Sequence, residues 1–150
     1  MIARKFAALA LLVALVVPVS AQPKGSDSVV KATATASKPD ADGKETVTIT
    51  LTITDPKYHL YANPVGNEDF TSNQVVVSFK NGVTSKITYP AGEVEKDKIV
   101  GDYKVYNGKA TITAVVKRAK ASDPIEVAVK VQACSKTACL MPATIKVSVK

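Results

Sequence analysis

The chain has 150 residues, with 20 lysines and arginines, 13 aspartates and glutamates and one histidine, which gives a formal net charge of +7. The basic residues are scattered along the chain and aromatic residues are few, so the composition argues against a nucleic-acid-binding surface. We interpret the charge as solvated strand faces that support solubility.

The N-terminal segment has the three features of a secretory signal peptide. A basic start precedes an unbroken apolar run over residues 6–17, and a stretch of small residues ends at Ala21. The apolar run is well short of the ~20 residues that a membrane-spanning helix needs, which leaves a membrane anchor as the weaker alternative. We therefore expect a signal peptide over residues 1–21 and one domain over residues 22–150, located in the periplasm or secreted.

The first half of the predicted domain contains strand-like alternation. A polar linker over residues 22–28 precedes a weak predicted strand over residues 30–36. Residues 46–54 alternate threonine with valine, isoleucine and leucine, which predicts an amphipathic strand. The short aromatic segment 58–64 follows and contains His59. The pattern leaves two roles open for His59: a partly buried strand residue bonded to the backbone, or a metal ligand or proton carrier.

The second half carries two Asn-Gly dipeptides, each placed between two apolar runs. These are Asn81-Gly82 and Asn107-Gly108. Asn-Gly in this setting is the strongest short-range signal for a β-hairpin. With about seven to nine short strands and no helical periodicity, the sequence predicts an all-β fold, an immunoglobulin-like antiparallel β-sandwich, with a small barrel as the alternative.

The C-terminal segment contains the two cysteines, Cys134 and Cys139. Residues 125–131 and 145–149 alternate apolar and polar residues on either side of them, which predicts a hairpin whose loop is formed by residues 135–138. Opposed Cβ atoms in a hairpin lie roughly 4.5–5.5 Å apart, near the separation that a disulfide needs. Export to an oxidising compartment allows that disulfide to persist.

The residues alone leave open whether this bridge is structural or reactive. So short a ring stabilises the fold by only about 2 kcal/mol in the loop-entropy description. Lys136 lies between the cysteines and favours a thiolate, which is the reactive form. A copper(I) site made by Cys134, Cys139 and Met141 is a weaker alternative. The spacing supports no zinc site, and we find no hydrolase, carboxylate-pair or phosphate-loop motif.

Three stretches together carry a resemblance to a known family. They are residues 58–61 (Tyr-His-Leu-Tyr), the loop 96–106, and residues 132–142, in which the second cysteine is followed by Leu-Met-Pro. They resemble the N-terminal periplasmic domain of the thiol:disulfide interchange protein DsbD, over roughly residues 29–150. The resemblance implies an immunoglobulin fold whose cysteine pair shuttles electrons, with no metal and no cofactor beyond the disulfide itself.

The resemblance also implies roles for individual residues. Cys134 and Cys139 match the redox pair, and Cys139 matches the cysteine that forms mixed disulfides with partner proteins. His59 and Tyr61 match positions that line the active site, where Lys136 is a further candidate. The best-known members have one more residue between the cysteines, so the hairpin geometry of this chain is expected to differ.

A loop that shields the disulfide in the family, the cap loop, corresponds here to Asp97, Lys98, Ile99, Val100 and Gly101. The family usually presents an aromatic ring from this loop, whereas this chain has isoleucine and valine there. We therefore expect an aliphatic, looser cover over the sulfurs, with Ile99 as its main part.

The function implied by the resemblance is electron transfer between proteins. A membrane-bound DsbD-like protein with a thioredoxin-like domain would donate electrons, and periplasmic thiol oxidoreductases would accept them, as in a protein-disulfide reductase system. We expect a monomer that needs a separate donor. The alternative function is a secreted immunoglobulin-like binding module whose hairpin disulfide is only structural.

Overall fold

The computed structural model describes residues 23–150, so the predicted signal peptide lies outside the described residues. Within that range the chain forms eleven β-strands and two short 3₁₀ helices, Ser26–Ser28 and Glu68–Asn73. The strands are β1 (Val30–Ala36), β2 (Lys44–Ile53), β3 (His59–Tyr61), β4 (Val76–Lys80), β5 (Gly82–Thr88), β6 (Glu93–Glu95), β7 (Tyr103–Tyr106), β8 (Lys109–Arg118), β9 (Ile125–Val131), β10 (Ala133–Cys134) and β11 (Ala143–Val149).

The strands form three antiparallel sheets. The first sheet has the order β1-β2-β8-β5, the second β10-β3-β7-β6 and the third β11-β9-β4. The predicted alternation of residues 46–54 is realised in β2, where Val47, Ile49 and Leu51 are fully buried while the intervening threonines face outward. A period of two residues places these side chains on opposite faces of the strand, so one face is apolar and the other is hydroxylated.

The main hydrophobic core contains side chains from all three sheets. Ile49 and Ile112 enter it from the first sheet, Val127 from the third and Leu60 from the second. Fully burying each of these aliphatic side chains stabilises the fold by about 1.5–3 kcal/mol. The prediction of an all-β, immunoglobulin-like antiparallel β-sandwich is confirmed, and none of the three described sheets closes into a barrel.

Neither Asn-Gly dipeptide forms the predicted hairpin. The strands β4 and β5 lie in the third and first sheets, and β7 and β8 lie in the second and first. A two-residue type I′ hairpin turn needs a positive φ at both central residues. Only Asn81 in the first dipeptide (φ 59°) and Gly108 in the second (φ 62°) have one. Each dipeptide therefore turns the chain from one layer of the sandwich to the other.

The C-terminal hairpin is present, but its tip leaves the third sheet. Strands β9 and β11 pair in register from Ile125↔Val149 to Val131↔Ala143. Between them, β10 pairs with β3 and becomes an edge of the second sheet. The chain thus carries the first cysteine out of one sheet and into the next, which decides what surrounds it.

Candidate functional site

The disulfide predicted from the sequence is formed. The sulfurs of Cys134 and Cys139 are 2.08 Å apart and their Cα atoms are 4.0 Å apart. Ser135 organises the loop between them: its amide donates to the Ala138 carbonyl at 2.8 Å, and its hydroxyl accepts from the Ala138 amide at 3.1 Å. The loop is therefore a compact hydrogen-bonded turn that holds the two cysteines opposite each other.

The two cysteines differ sharply in exposure. Cys134 is only 1% exposed, because β10 places it beneath side chains of the second sheet. Cys139 follows the loop, pairs with Cys134 only through an isolated bridge, and is exposed. Attack on a disulfide depends on access to the sulfur as well as on the chemistry of the thiols. The disulfide thus joins one buried residue to one exposed residue.

Three aromatic rings pack against the group of residues that contains the buried cysteine. Tyr61 stacks on Phe70 with ring centroids 4.9 Å apart and an interplanar angle of 11°, and Tyr103 lies 4.9 Å from Phe70 and 5.6 Å from Tyr61. The same cluster includes Cys134 and Val105. Aromatic contacts of this kind stabilise by about 0.5–1.5 kcal/mol beyond their burial. Tyr61, Phe70 and Tyr103 thus form an aromatic layer in the same packed cluster as Cys134.

Phe70 in this layer was not found by sequence reasoning. It lies on the 3₁₀ helix Glu68–Asn73, in a stretch that the sequence presents only as a polar loop. Asn67 caps this helix, with its side-chain oxygen accepting from the Asp69 amide at 3.1 Å. A single phenylalanine among Gly, Asn and Asp residues was the available signal, but nothing in the sequence indicates that it reaches Tyr61.

The cap loop does not place Ile99 over the sulfurs. The Asp97 carboxylate accepts hydrogen bonds from the amides of Ile99 and Val100 at 2.7 and 3.1 Å, which folds the loop back on itself. The Asn67 side-chain amide donates to the Val100 carbonyl at 2.8 Å and ties the loop to the Phe70 helix. Ile99 is left 93% exposed, so the prediction that it is the main cover is wrong. The assignment of residues 97–101, including Lys98 and Gly101, to a cap stays a prediction.

His59 lies directly beside the buried cysteine. It is paired with Cys134 across β3 and β10, while the next pair is Leu60 with Ala133. Opposed residues of an antiparallel pair point to the same face. Leu60 and Ala133 enter the main core, so His59 and Cys134 share the opposite face. The ring of His59 also meets that of Tyr61 edge-on, with centroids 5.6 Å apart.

Burial shifts the protonation of both aromatic residues on β3. It lowers the pKa of His59 below its usual 6.5, against a smaller opposing effect of the Glu95 carboxylate. It raises the pKa of Tyr61 above 10.0, and the nearby Tyr103 adds to that rise. At neutral pH the imidazole of His59 is therefore neutral and the phenol of Tyr61 is protonated.

Two further candidates lie on the exposed side. Lys136 is exposed within the loop between the cysteines. Met141 is 55% exposed, and its backbone is hydrogen-bonded to Ser26 and Lys24. In the disulfide form the cysteines offer no thiolate to a copper ion. Within residues 23–150, no group of three or more His, Cys, Asp or Glu side chains is arranged to hold a metal.

Ser26 is a supporting residue that the sequence interpretation placed in a linker. It is fully buried. Its hydroxyl donates to the Met141 carbonyl at 2.8 Å and accepts from the Ala133 amide at 2.9 Å. One side chain from the N-terminal end of the domain thus joins the segments on both sides of the disulfide. No sequence signal distinguishes this serine from its exposed neighbours.

These features define a class of protein: an immunoglobulin-like domain with a hairpin disulfide that has one buried and one exposed cysteine. The family model described as "Thiol:disulfide interchange protein DsbD, N-terminal" matches residues 26–150. The chain belongs to this family, and the resemblance inferred from its motifs is confirmed. Searching curated protein sequences gives no match.

Three solved structures are similar in fold. The reduced DsbD N-terminal domain of Neisseria meningitidis is 16% identical with a TM-score of 0.57, over 83% of this chain and 86% of that one. A complex of the DsbD and PilB N-terminal domains from N. meningitidis is 18% identical with a TM-score of 0.51, over 78% of this chain and 80% of that one. The N-terminal periplasmic domain of ScsB from Proteus mirabilis is 14% identical with a TM-score of 0.51, over 79% of this chain and 44% of that one. At these identities the likeness concerns the fold.

None of the helices in residues 23–150 has the length and apolar character needed to span a bilayer.

Proposed function

We propose that this chain is a periplasmic thiol–disulfide interchange domain that passes electrons between proteins through Cys134 and Cys139. The observation that carries the proposal is the contrast between a buried Cys134, 1% exposed, and an exposed Cys139. A structural bridge has no need of this asymmetry, whereas exchange requires one sulfur that a partner can reach and one that is withheld. Membership of the DsbD N-terminal family supports the same conclusion.

Reduction of the domain begins at the exposed sulfur. A thiolate of the donor dithiol attacks the Cys139 sulfur, a donor–Cys139 disulfide forms, and the Cys134–Cys139 bond breaks. Cys134 leaves with the electron pair and takes up a proton. The second donor thiolate then attacks the donor sulfur of the mixed disulfide and releases Cys139. The donor becomes a disulfide and the domain a dithiol, so two electrons have been transferred.

Delivery of the electrons reverses these roles. The Cys139 thiolate attacks the disulfide of an acceptor protein, which releases one acceptor thiolate and forms an acceptor–Cys139 disulfide. Cys134 loses its proton and attacks the Cys139 sulfur, which restores the internal disulfide and frees the second acceptor thiol. Cys134 is suited to this resolving step because the hairpin holds it opposite Cys139 while the aromatic layer keeps other sulfurs away from it.

We infer partners of two kinds. The donor is a membrane-bound DsbD-like protein with a thioredoxin-like domain, and the acceptors are periplasmic thiol oxidoreductases. The DsbD N-terminal domain of N. meningitidis that forms a complex with the PilB N-terminal domain supports a protein partner at this type of domain. We further propose that residues 1–21 are a signal peptide, that residues 22–150 form one exported domain, and that the domain is monomeric.

The test is covalent trapping with matched variants. The Cys134→Ala protein is incubated with a periplasmic extract of a Gram-negative bacterium, alkylated and separated without reductant. We expect dithiothreitol-sensitive complexes through Cys139 with proteins of the thioredoxin fold. The Cys139→Ala protein is the control and should trap little, because Cys134 is buried. Equal trapping by both variants would refute the assigned roles, and trapping by neither would support the alternative, a binding module with a structural bridge.

A second measurement does not depend on a variant that disturbs the hairpin. The reduced wild-type protein is treated with a limiting amount of iodoacetamide, and the labelled cysteine is located by mass spectrometry. Labelling should fall on Cys139 before Cys134. The reduction potential distinguishes an exchange domain from a binding module independently. A structural disulfide has a reduction potential below about −300 mV, and an exchanging disulfide has a higher one.

A further inference from the structure

A titratable nitrogen lies beside the sulfur that must lose a proton during resolution. His59 and Cys134 are direct cross-strand partners whose side chains share one face of the second sheet. Cβ atoms of such pairs lie roughly 4.5–5.5 Å apart, so the imidazole is within reach of the thiol that Cys134 becomes after reduction.

The nitrogen in question has an unused hydrogen-bonding capacity. Nε2 of His59 is buried and has no hydrogen-bond partner within residues 23–150. Buried polar atoms are nearly always paired, and an unpaired one carries a free-energy cost of about 1–3 kcal/mol. Such an atom beside a redox disulfide is explained if its partner is created by the reaction, as a thiol or thiolate on Cys134.

Resting on the function proposed above, we propose that His59 is the proton acceptor for Cys134 in the step that resolves the mixed disulfide. The neutral imidazole takes the proton from the Cys134 thiol while the sulfur attacks Cys139. The Cys134–Cys139 bond forms, the bond from Cys139 to the acceptor breaks, and the acceptor sulfur leaves with the electron pair. The proton passes from His59 to the released thiolate or to water, so the imidazole returns to its neutral form.

The environment of His59 makes it a better proton acceptor than the nearby titratable residues. Burial keeps its pKa low, so the imidazole is neutral and able to accept a proton at pH 7. Tyr61 on the same strand has a raised pKa and holds its proton. Glu95 on β6 is the charged residue whose field acts on the imidazole, and it favours the protonated form that the transfer creates. Lys136 is exposed in the loop.

The test measures resolution apart from the first exchange step. Reduced protein is mixed with glutathione disulfide, which converts Cys139 to a glutathione mixed disulfide, and closure of the internal bridge is followed by quenching and mass spectrometry between pH 5 and 9. The comparison is made between wild type, His59→Phe, which keeps an aromatic ring, and His59→Gln, which keeps polarity. Tyr58→Phe is the matched control, because Tyr58 packs against the main core on the other side of the strand.

We expect both His59 variants to resolve about 100-fold more slowly than wild type at pH 7, which is the lower end of the range typical of general base catalysis. The pH profile is the decisive readout. With the base present, the rate levels off above the pKa of His59; without it, the rate keeps rising with pH until the thiol ionises by itself, and the difference narrows. A structural role of His59 would lower the rate without changing that profile.

The outcomes separate this inference from the proposed function. The first step, addition of glutathione to Cys139, is measured in the Cys134→Ala protein, which cannot close the internal disulfide. Its rate should be the same with His59 intact and with either His59 substitution. If glutathione adds to Cys139 but His59→Phe and His59→Gln resolve with the wild-type rate and pH profile, His59 is not the acceptor. If glutathione does not add to Cys139 at all, the proposed function and this inference are both wrong.

Discussion

Arg118 holds the buried carboxylate of Glu45 with two hydrogen bonds, from Nε to Oε1 at 2.6 Å and from Nη2 to Oε2 at 2.9 Å. The side chains are only 11% and 4% exposed. Nη1 of the same guanidinium donates to the Asp123 carbonyl at 2.6 Å. This bidentate pair joins β2 and β8 to the segment before β9.

The first prediction concerns the stability that depends on this pair. Glu45→Gln leaves the Arg118 guanidinium buried without its charge partner, so we expect the free energy of unfolding to fall by about 3 kcal/mol. Urea denaturation of the disulfide-intact protein measures this change. Asp42→Asn is the control, because its ion pair with Lys44 is exposed and such pairs contribute about 0–1 kcal/mol. Similar losses in both variants would contradict the prediction.

The pH dependence of stability provides a second prediction. The hydrogen bonds from Arg118 hold the pKa of Glu45 below its ordinary value of 4.5. A carboxyl group with a lowered folded-state pKa binds fewer protons when folded, so its contribution is complete above pH 4.5 and is lost as the pH falls toward the folded-state pKa. Wild type should lose more stability than Glu45→Gln between pH 5 and 3, as followed by urea titrations at each pH. Parallel curves would show that another group governs the acid transition.

The alternation of apolar and polar residues made the amphipathic strands of this fold predictable. The strand β2 was predicted because threonine and aliphatic residues alternate along it, and the structure buries Val47, Ile49 and Leu51 on one side. The pairing of strands across Asn81-Gly82 and Asn107-Gly108 was not predictable in the same way. Whether neighbouring strands join one sheet or two depends on how the sheets pack against each other, which the turn residues alone do not encode.

The site residues also fall into those that the local sequence predicts and those that it does not. The disulfide and the strand positions of His59 and Tyr61 lie within short segments whose pattern could be interpreted directly. Ser26 and Phe70 come from other parts of the chain: Ser26 is 107 residues from the amide that it accepts from. Contacts at that separation follow from the assembled sandwich. Ile99 was assigned by resemblance, and the local hydrogen bonds of Asp97 turn it outward.

The third prediction concerns Ser26. Ser26→Ala removes the partner of the Ala133 amide and of the Met141 carbonyl, and leaving buried polar groups unpaired costs about 1–3 kcal/mol. We expect a loss of this size in urea denaturation, together with faster hydrogen exchange of the Ala133 amide. Ser28→Ala is the matched control, because Ser28 is exposed and bonds only to the nearby Gly25 carbonyl. Unchanged exchange at Ala133 would contradict the supporting role.

The last prediction concerns the cover over the buried cysteine. Phe70 stacks on Tyr61 and packs against the cluster that contains Cys134, whereas Ile99 is 93% exposed. Phe70→Ala opens the aromatic layer, so we expect the disulfide to be reduced several-fold faster by dithiothreitol, because the Cys134 sulfur becomes a second accessible point of attack in addition to Cys139. Ile99→Ala removes a side chain that already faces solvent and should leave the rate unchanged.

The measurement is the rate of thiol appearance under excess dithiothreitol, with the melting temperature of each variant recorded beside it. Acceleration must persist at temperatures well below the melting transition of Phe70→Ala, where global unfolding does not limit the reaction. Phe70→Leu keeps an apolar side chain without the stacked ring and should give an intermediate rate. If Ile99→Ala accelerates reduction and Phe70→Ala does not, the cover belongs to the cap loop, and the aromatic layer serves only to pack the second sheet.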